Sequence, residues 1–489
     1  MIANHGKARA APANAFRPRR LILALVGVGT LVLAGCATVD INQAIARAGQ
    51  DSGDLTGGKL SLARTDRERS ELQSAAAAIL GKPLTADDAV HLALINSPAM
   101  QALLAQSWAD GATAAQSGRL PNPLLTLDWI RSPGTVEVGR MLGVGLLDIL
   151  TLPRRHQIAQ SRLEQGQLQL TSDVVDKVTQ VRQAWVNAVG AQQSLSYAKQ
   201  VSDSAEASAE LARRMLEVGN FNKLQRARQQ AFYADASAQW ANASHTATAA
   251  RESLIRLLGL ADTQATQLTL PERLPDLPNA PRAADEVSAA ASRGRLDIKT
   301  VQAAVNATAT AQGLSVLTSF TDIELSVIRN TSKDRADGQR ALSSGIEVAL
   351  TLPVFDWGDL KRDAMNAQML AAVNRLEGTV RAAGSNLRES YSAYRTTYDI
   401  ARHYRDEIVP LRKLIADENV LRYNGMLIGV FELLADSRDQ IASVIAAINA
   451  QQQFWLADAV LQSSILGKPM MMSGAGSAPK KGGGGDAGH

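Results

Sequence analysis

The chain repeats itself, and that repeat limits its fold more than any other feature. Leu150-Thr151-Leu152-Pro153 recurs as Leu350-Thr351-Leu352-Pro353, an offset of 200 residues. A strand-like run precedes each copy, Leu124–Ile130 and Thr321–Ile328, and a long stretch rich in Ala and Gln comes after each. Gly219 and Gly425 interrupt those stretches at an offset of 206, and Leu258-Gly259 and Leu466-Gly467 close them at an offset of 208. Four landmarks in one order at nearly constant offset define a single structural unit written twice. The two repeats cover residues 84–260 and 282–468. A Pro-rich linker over 261–281, with Pro271, Pro275, Pro278 and Pro281, joins them.

The Ala-rich stretches read as long helices. No proline occurs between Arg154 and Leu270, so nothing there forbids a continuous helix. Val174, Val178, Val181, Trp185 and Ala188 are spaced 4, 3, 4, 3, and Val373, Leu376, Val380, Ala383 and Leu387 are spaced 3, 4, 3, 4. That seven-residue pattern is a coiled-coil seam. Arg154 to Val218 alone makes roughly 100 Å of helix at about 1.5 Å per residue. Pro410 is expected to break or kink the matching rod of the second half at Val409.

The strand-like runs alternate instead. Thr321, Ile323, Leu325 and Val327 interleave with Asp322, Glu324 and Ser326; Ile346, Val348 and Leu350 interleave with Glu347, Ala349 and Thr351. The first half offers Leu125, Leu127 and Trp129, then Leu142, Val144 and Leu146. Expected strand pairs are therefore 124–130 with 140–150, and 321–329 with 344–351. One apolar and one polar or acidic face describe either a sheet with one wet side or a membrane barrel with lipid outside, Leu325 outward and Ser326 inward. Four strands cannot close a barrel, and an open edge in lipid is forbidden, so a barrel here needs several chains.

The amino terminus carries an address. Residues 1–20 are basic, Leu21–Leu33 is apolar, and Leu33-Ala34-Gly35-Cys36 comes next. This is the layout of a signal peptide over 1–35, too short in its apolar run for a membrane-spanning helix. Its end resembles a bacterial lipobox, which implies lipidation of Cys36; Ala37 behind it implies sorting to the outer membrane.

Composition removes other classes. Cys36 is the single cysteine, so no disulfide framework or Cys-based zinc site forms within the chain. The charge of 51 basic against 47 acidic residues looks basic, but five of the cations lie in the signal, leaving 46 against 47. A nucleic-acid partner loses its electrostatic support. No catalytic constellation, cofactor motif or metal-ligand set emerges; Gly143-Val144-Gly145 lacks the third glycine of a dinucleotide loop. Residues 469–489, with Met470–Met472, Gly482–Gly485 and His489, have a disordered composition rather than that of a metal site.

Taken together, these features resemble the TolC-like outer membrane factors, the exit ducts of bacterial efflux pumps and type I secretion systems. The carriers are Leu94-Ile95-Asn96-Ser97-Pro98, Gly118-Arg119-Leu120-Pro121-Asn122-Pro123 and Leu152-Pro153-Arg154-Arg155 in the first half. Arg295-Leu296-Asp297-Ile298, Leu352-Pro353-Val354-Phe355-Asp356-Trp357-Gly358, Tyr423-Asn424-Gly425 and Leu466-Gly467 carry the second. The resemblance implies a mainly α fold with a small β part: a homotrimer sharing one 12-stranded outer-membrane barrel, four strands per chain, on a helical coiled-coil tunnel. It places residues 36–83 in a lipidated N-terminal and equatorial part. It implies a periplasmic adaptor and an inner-membrane pump as partners, contact with outer-membrane lipid, and no enzymatic activity, cofactor or metal. A non-conducting trimeric coiled-coil lipoprotein scaffold is the alternative, and it leaves the strand pairs unexplained.

The two helix breaks read as hairpin tips. The resemblance places adaptor docking there, at Gly219, Asn220 and Phe221 and at Gly425, Met426 and Leu427. It places the periplasmic gate just beyond. Where many relatives carry acidic rings, six residues past each glycine this chain has Gln225 and Phe431; the nearest acids are Glu432 and Asp436. The expectation is a gate closed mainly by packing of Phe431, with at most a weak cation preference from Glu432 or Asp436; the alternative is that Phe431 packs between helices within one chain.

Overall fold

The computed structural model describes residues 40–57, 60–318, 322–352 and 354–468. The segment 1–35 read as a signal, Cys36 and the Met- and His-containing tail lie outside the described residues. In chain order the elements are α1 (Ile41–Asp51), α2 (Asp66–Leu80), α3 (Ala86–Asn96), α4 (Pro98–Ser117), β1 (Leu124–Ser132), β2 (Thr135–Gly145), α5 (Leu146–Glu217), α6 (Lys223–Leu258), α7 (Asp262–Ala265) and α8 (Ala284–Ser292). After them come α9 (Leu296–Thr318), β3 (Ile323–Asp334), β4 (Arg340–Leu350), α10 (Asp359–His403), a π segment (Tyr404–Ile408), α11 (Val409–Asn424) and α12 (Val430–Ile465). Contacts divide the chain into two units. The first comprises 115–159 and 323–349; the second holds the remaining helical segments.

The first unit is built on one four-stranded sheet in the order β1-β2-β3-β4, so the hairpins of both repeats join side by side. β1 pairs antiparallel with β2 from Leu124↔Gly143 to Ser132↔Thr135, and β2 with β3 from Thr135↔Asp334 to Gly145↔Glu324. At the ends of the β3–β4 ladder, Asp334 N–H donates to Gln339 O (3.0 Å) and Thr351 N–H to Asp322 O (3.0 Å). Those two bonds set Leu350, Val348 and Ile346 opposite Ile323, Leu325 and Val327.

Two strand expectations need correction. The second strand does not run to Leu150: it stops at Gly145, and Leu146–Leu150 open α5, with Pro153 inside that helix. Pro153 withholds the N–H that would reach Ile149. Local bonds compensate, because Thr151 Oγ1 donates to Leu147 O (2.7 Å), and Arg155 pairs with Asp148 of the first turn. The repeated Leu-Thr-Leu-Pro is thus helical in its first copy, whereas in the second Leu350 ends a strand and Thr351-Leu352 lies in irregular chain. There Asp356 Oδ1 accepts the N–H of Gly358 (2.8 Å), and Gly358, at φ 67°, starts α10. The other strands are longer than expected. β3 reaches Asp334 rather than 329, and β4 begins at Arg340 rather than 344, because Lys333 and Arg340 continue the ladder although their charge reads as loop; β2 likewise begins at Thr135 rather than 140.

The second unit is helical. Its largest core gathers α1–α4 around the middle of α5, with Val174, Val178, Val181, Trp185 and Ala188 all buried, as their spacing requires. Trp185 Nε1 donates to Leu84 O (2.8 Å), satisfying the one polar atom of a buried ring. The seam of the second repeat differs. Only Ala383 is buried, and Val373 and Val380 are exposed at 44% and 50% in the single chain. Pro410 does not break its helix either: the five-residue π segment directly before α11 absorbs the missing hydrogen bond, and helix runs on to Asn424.

Both repeats close with the same device. α6 ends at Gly259 (φ 66°), beside which Asn96 Nδ2 donates to Leu258 O (3.2 Å) and Gly259 O (3.0 Å). Gly467 (φ 87°) lies just past α12, and Leu296 N–H donates to Leu466 O (2.8 Å) beside the buried Arg295–Asp297 ion pair. The Pro-rich linker is not a loose tether. Tyr398 Oη donates to Pro278 O (3.0 Å), Trp455 Nε1 to Pro275 O (3.0 Å), and Tyr394 Oη accepts Arg282 N–H (3.1 Å).

Asp458 of α12 ties this strap to the bundle. It is 7% exposed, 3.3 Å from the Arg282 guanidinium, and accepts from Gln462 Nε2 (2.6 Å), whose Oε1 accepts from Arg182 (2.6 Å). Burial holds its carboxyl above the usual carboxylate range despite Arg282. The folded chain therefore binds this proton more tightly than the unfolded chain. The stabilisation is full below the ordinary carboxylate pKa and is lost as pH rises through the raised folded value. Asp458→Asn should flatten the pH dependence of Tm just above the ordinary carboxylate range, measured by thermal unfolding across pH.

Candidate functional site

The sheet separates charge completely. Strand alternation and the ladder register place Asp128, Glu137, Glu324, Asp334 and Glu347 on one face. They place Arg131, Arg140, Arg329, Lys333 and Arg340 on the other. No residue of the four strands breaks the division. Apart from Leu124, Ile130, Met141 and Ile328, the acidic face is small and polar, with Thr126, Gly139, Gly143, Ser326, Asn330 and Ser332. Gly143 leaves room there for two side chains: a Cβ would lie 2.5 Å from a Glu324 carboxylate oxygen and 2.9 Å from Ser326 Oγ, so both would have to shift. The opposite face shows Leu125, Leu127, Trp129, Leu142, Val327, Ile346 and Val348, all exposed, Trp129 at 72%. A surface of that kind is not left to water in a soluble sheet. β1 and β4 are edges whose outer backbone groups have no partner strand among the described residues.

In the second unit the two helix breaks form tight hairpins of one geometry. At the first, Gly219 is left-handed (φ 82°), Asn220 N–H donates to Met215 O (2.8 Å) and Gly219 N–H to Leu216 O (3.1 Å). At the second, Leu427 N–H donates to Arg422 O (2.8 Å) and Met426 N–H to Tyr423 O (2.9 Å). Both are Schellman caps. The left-handed residue of the second is Met426 (φ 58°), not Gly425 (φ −80°), so Gly219 corresponds to Met426, one residue later than the glycines of the repeat align. The cap bonds select the position, and here they select a side chain that is 92% exposed. A non-glycine residue in this conformation costs about 1–2 kcal/mol. Gly219→Ala should lower stability by about 1 kcal/mol and Met426→Gly raise it by a similar amount, read from the unfolding midpoint.

Beyond the tips the gate candidates separate. Gln225 is occupied structurally: its side-chain carbonyl accepts Asn222 N–H (2.7 Å), while Asn222 Oδ1 accepts Gln225 N–H (2.8 Å), a capping box at the start of α6. The side chain of Phe431 lies outside the described residues. Glu432 is exposed in the first turn of α12, where its charge suits the helix dipole. Asp436 accepts from Asn419 Nδ2, a buried α11 residue, and so ties α11 to α12. Arg412 and Asp439 add a second link between these helices (3.1 Å).

A further contact has no signal in the sequence. The Arg438 guanidinium of α12 sits 4.2 Å above the Phe232 ring of α6, beside a small core of Val201, Ala205 and Ala236 flanked by Tyr197, Tyr233 and Ile441. It joins the first hairpin to the second just past the tips. Among the described residues no His/Cys/Asp/Glu cluster could hold a metal, and no helix is long and apolar enough to cross a membrane.

Most of the chain matches solved outer-membrane channels. It aligns with VceC from Vibrio cholerae at TM-score 0.64 and 14% identity, over 81% of this chain and 97% of that one. With CmeC from Campylobacter jejuni the TM-score is 0.63 at 14% identity, over 81% and 86%. With a membrane protein from Pseudomonas aeruginosa it is 0.64 at 21% identity, over 82% and 94%. No protein-family model matches the chain, and no curated protein matches it in sequence. The fold is that of the TolC-like outer-membrane channels.

Proposed function

We propose that this protein is the outer-membrane exit duct of a tripartite efflux or type I secretion system. Three copies pool their strands into one 12-stranded barrel, anchored also by lipid on Cys36. The tips at 219–221 and 425–427 meet a periplasmic adaptor, which couples the duct to an inner-membrane pump. The observation that supports this reading is the sheet: most of the large apolar residues and all five cations share one face, all five acids share the other, and β1 and β4 have no outer partner strand among the described residues. In lipid those edges must pair, and four strands cannot pair them alone. Exposed Phe355 (99%), Trp357, Leu360 and Leu370 support packing against further copies.

Purified protein in planar bilayers tests it. The duct requires discrete conductance with preference for cations, set by the inward acids. A stable trimer that never conducts would instead identify an envelope scaffold. Mass spectrometry of the mature chain checks the anchor: a lipidated N-terminus at Cys36 is expected, and an unmodified one elsewhere would remove that part.

A further inference from the structure

The duct reading leaves the cations of the outward face without a role, and a role for them depends on that reading. Arg140 and Arg329 are direct partners in the β2–β3 ladder, and both are exposed. Side chains so placed start about 4.5–5.5 Å apart, and like charges directly opposite destabilise a sheet. No strand residue on that face is acidic, and among the described residues neither arginine makes an ion pair. In their own row they are flanked by Leu127 and Ser344, and the rows on either side are mostly apolar. The neighbouring row toward the helices holds Leu125, Leu142, Val327 and Ile346; the row toward the hairpin loops holds Trp129, Val138, Thr331 and Leu342. One row further out, at the loop end, lie Arg131, Lys333 and Arg340.

Two guanidinium groups side by side on a lipid-facing surface repel each other and lose hydration. A phosphate between them resolves both, since the arginine fork matches phosphate oxygens in a bidentate manner. Trp129, on the adjoining row, is the kind of residue that marks the headgroup level of a barrel. We propose that Arg140 and Arg329 form a binding site for a phosphate of an anionic lipid headgroup. Arg131, Lys333 and Arg340 hold further phosphates of the same headgroup layer. The barrel is thereby fixed at one depth in the membrane by paired charges as well as by its apolar band.

Native mass spectrometry of the full chain in mild detergent tests this, with lipopolysaccharide, phosphatidylglycerol and phosphatidylcholine as probes and inorganic phosphate as competitor. The phosphate-bearing lipids with exposed anionic headgroups should be retained in preference to zwitterionic phosphatidylcholine. The double variant Arg140→Gln/Arg329→Gln should weaken that retention about 10- to 30-fold. Equal retention of all three lipids by the unaltered protein would overturn the proposal, whether or not the variant assembles. Unchanged affinity in an assembled, conducting variant would do the same. Displacement by millimolar inorganic phosphate would overturn the assignment to lipid. Conductance of the unaltered protein separates the two readings: its presence without lipid preference refutes the headgroup site alone, and its absence refutes the duct.

Discussion

Leu325→Arg should lower the yield of membrane-inserted trimer. Leu325 lies on the face read as outward, paired with Val144 and set opposite Val348 by the β3–β4 hydrogen bonds. An arginine on the lipid face costs from about 0–1 kcal/mol near an interface to about 2–4 kcal/mol at mid-bilayer, and a trimer incurs it three times. The inward control is Asn330, which is exposed, whereas Ser326 is buried beside Gly143. Asn330→Arg should assemble normally and reduce cation preference. The fraction of SDS-resistant, heat-modifiable trimer in isolated membranes measures both. Equal trimer yield for Leu325→Arg would reverse the assignment of the two faces.

The second large effect is expected at the contact between hairpins. Arg438 over Phe232 couples α12 to α6 just beyond the tips, and contacts of this kind contribute about 0.5–2 kcal/mol. If that contact favours the closed arrangement, Arg438→Ala shifts the closed-to-open ratio by about 2- to 30-fold. Open probability in planar bilayers should rise accordingly. Phe232→Leu, which keeps bulk and removes the ring, should act in the same direction. Glu432→Gln should leave the ratio unchanged, because its carboxylate is exposed at a helix start. A rise for Glu432→Gln alone would locate closure in an electrostatic ring instead.

Much of this architecture is legible in the sequence because it obeys a period. The 174–188 seam repeats every seven residues without proline, and the fold buries every member of it. The strands show through alternation, and the hairpin tips through glycines in Ala-rich runs. The features that escape the sequence have no local signature. Pro153 reads as a helix stop, yet Thr151 and the Arg155–Asp148 pair hold the turn around it. Pro410 reads as a break, and a π segment removes the conflict. Gly425 is the natural choice for a left-handed cap, but the cap bonds put Met426 there. Lys333 and Arg340 take apolar-face positions near the hairpin loop, so β3 and β4 look shorter than they are. Only the register shows that all five strand cations share a face. Arg438 and Phe232 lie 206 residues apart, and neither stands out from its helix.

That three copies complete one barrel is the central claim, and cysteine cross-linking across the open edges tests it most directly. In a Cys36→Ser background, which removes the single native thiol, one cysteine on β1 and one on β4 are scanned in pairs along the outward face, beginning with Leu127→Cys and Ile346→Cys. Oxidation in isolated outer membranes should join chains through disulfides and give a covalent ladder that ends at three, and reduction should collapse it to monomer. Bonds confined within single chains at every register, or a ladder running past three, would contradict the shared barrel.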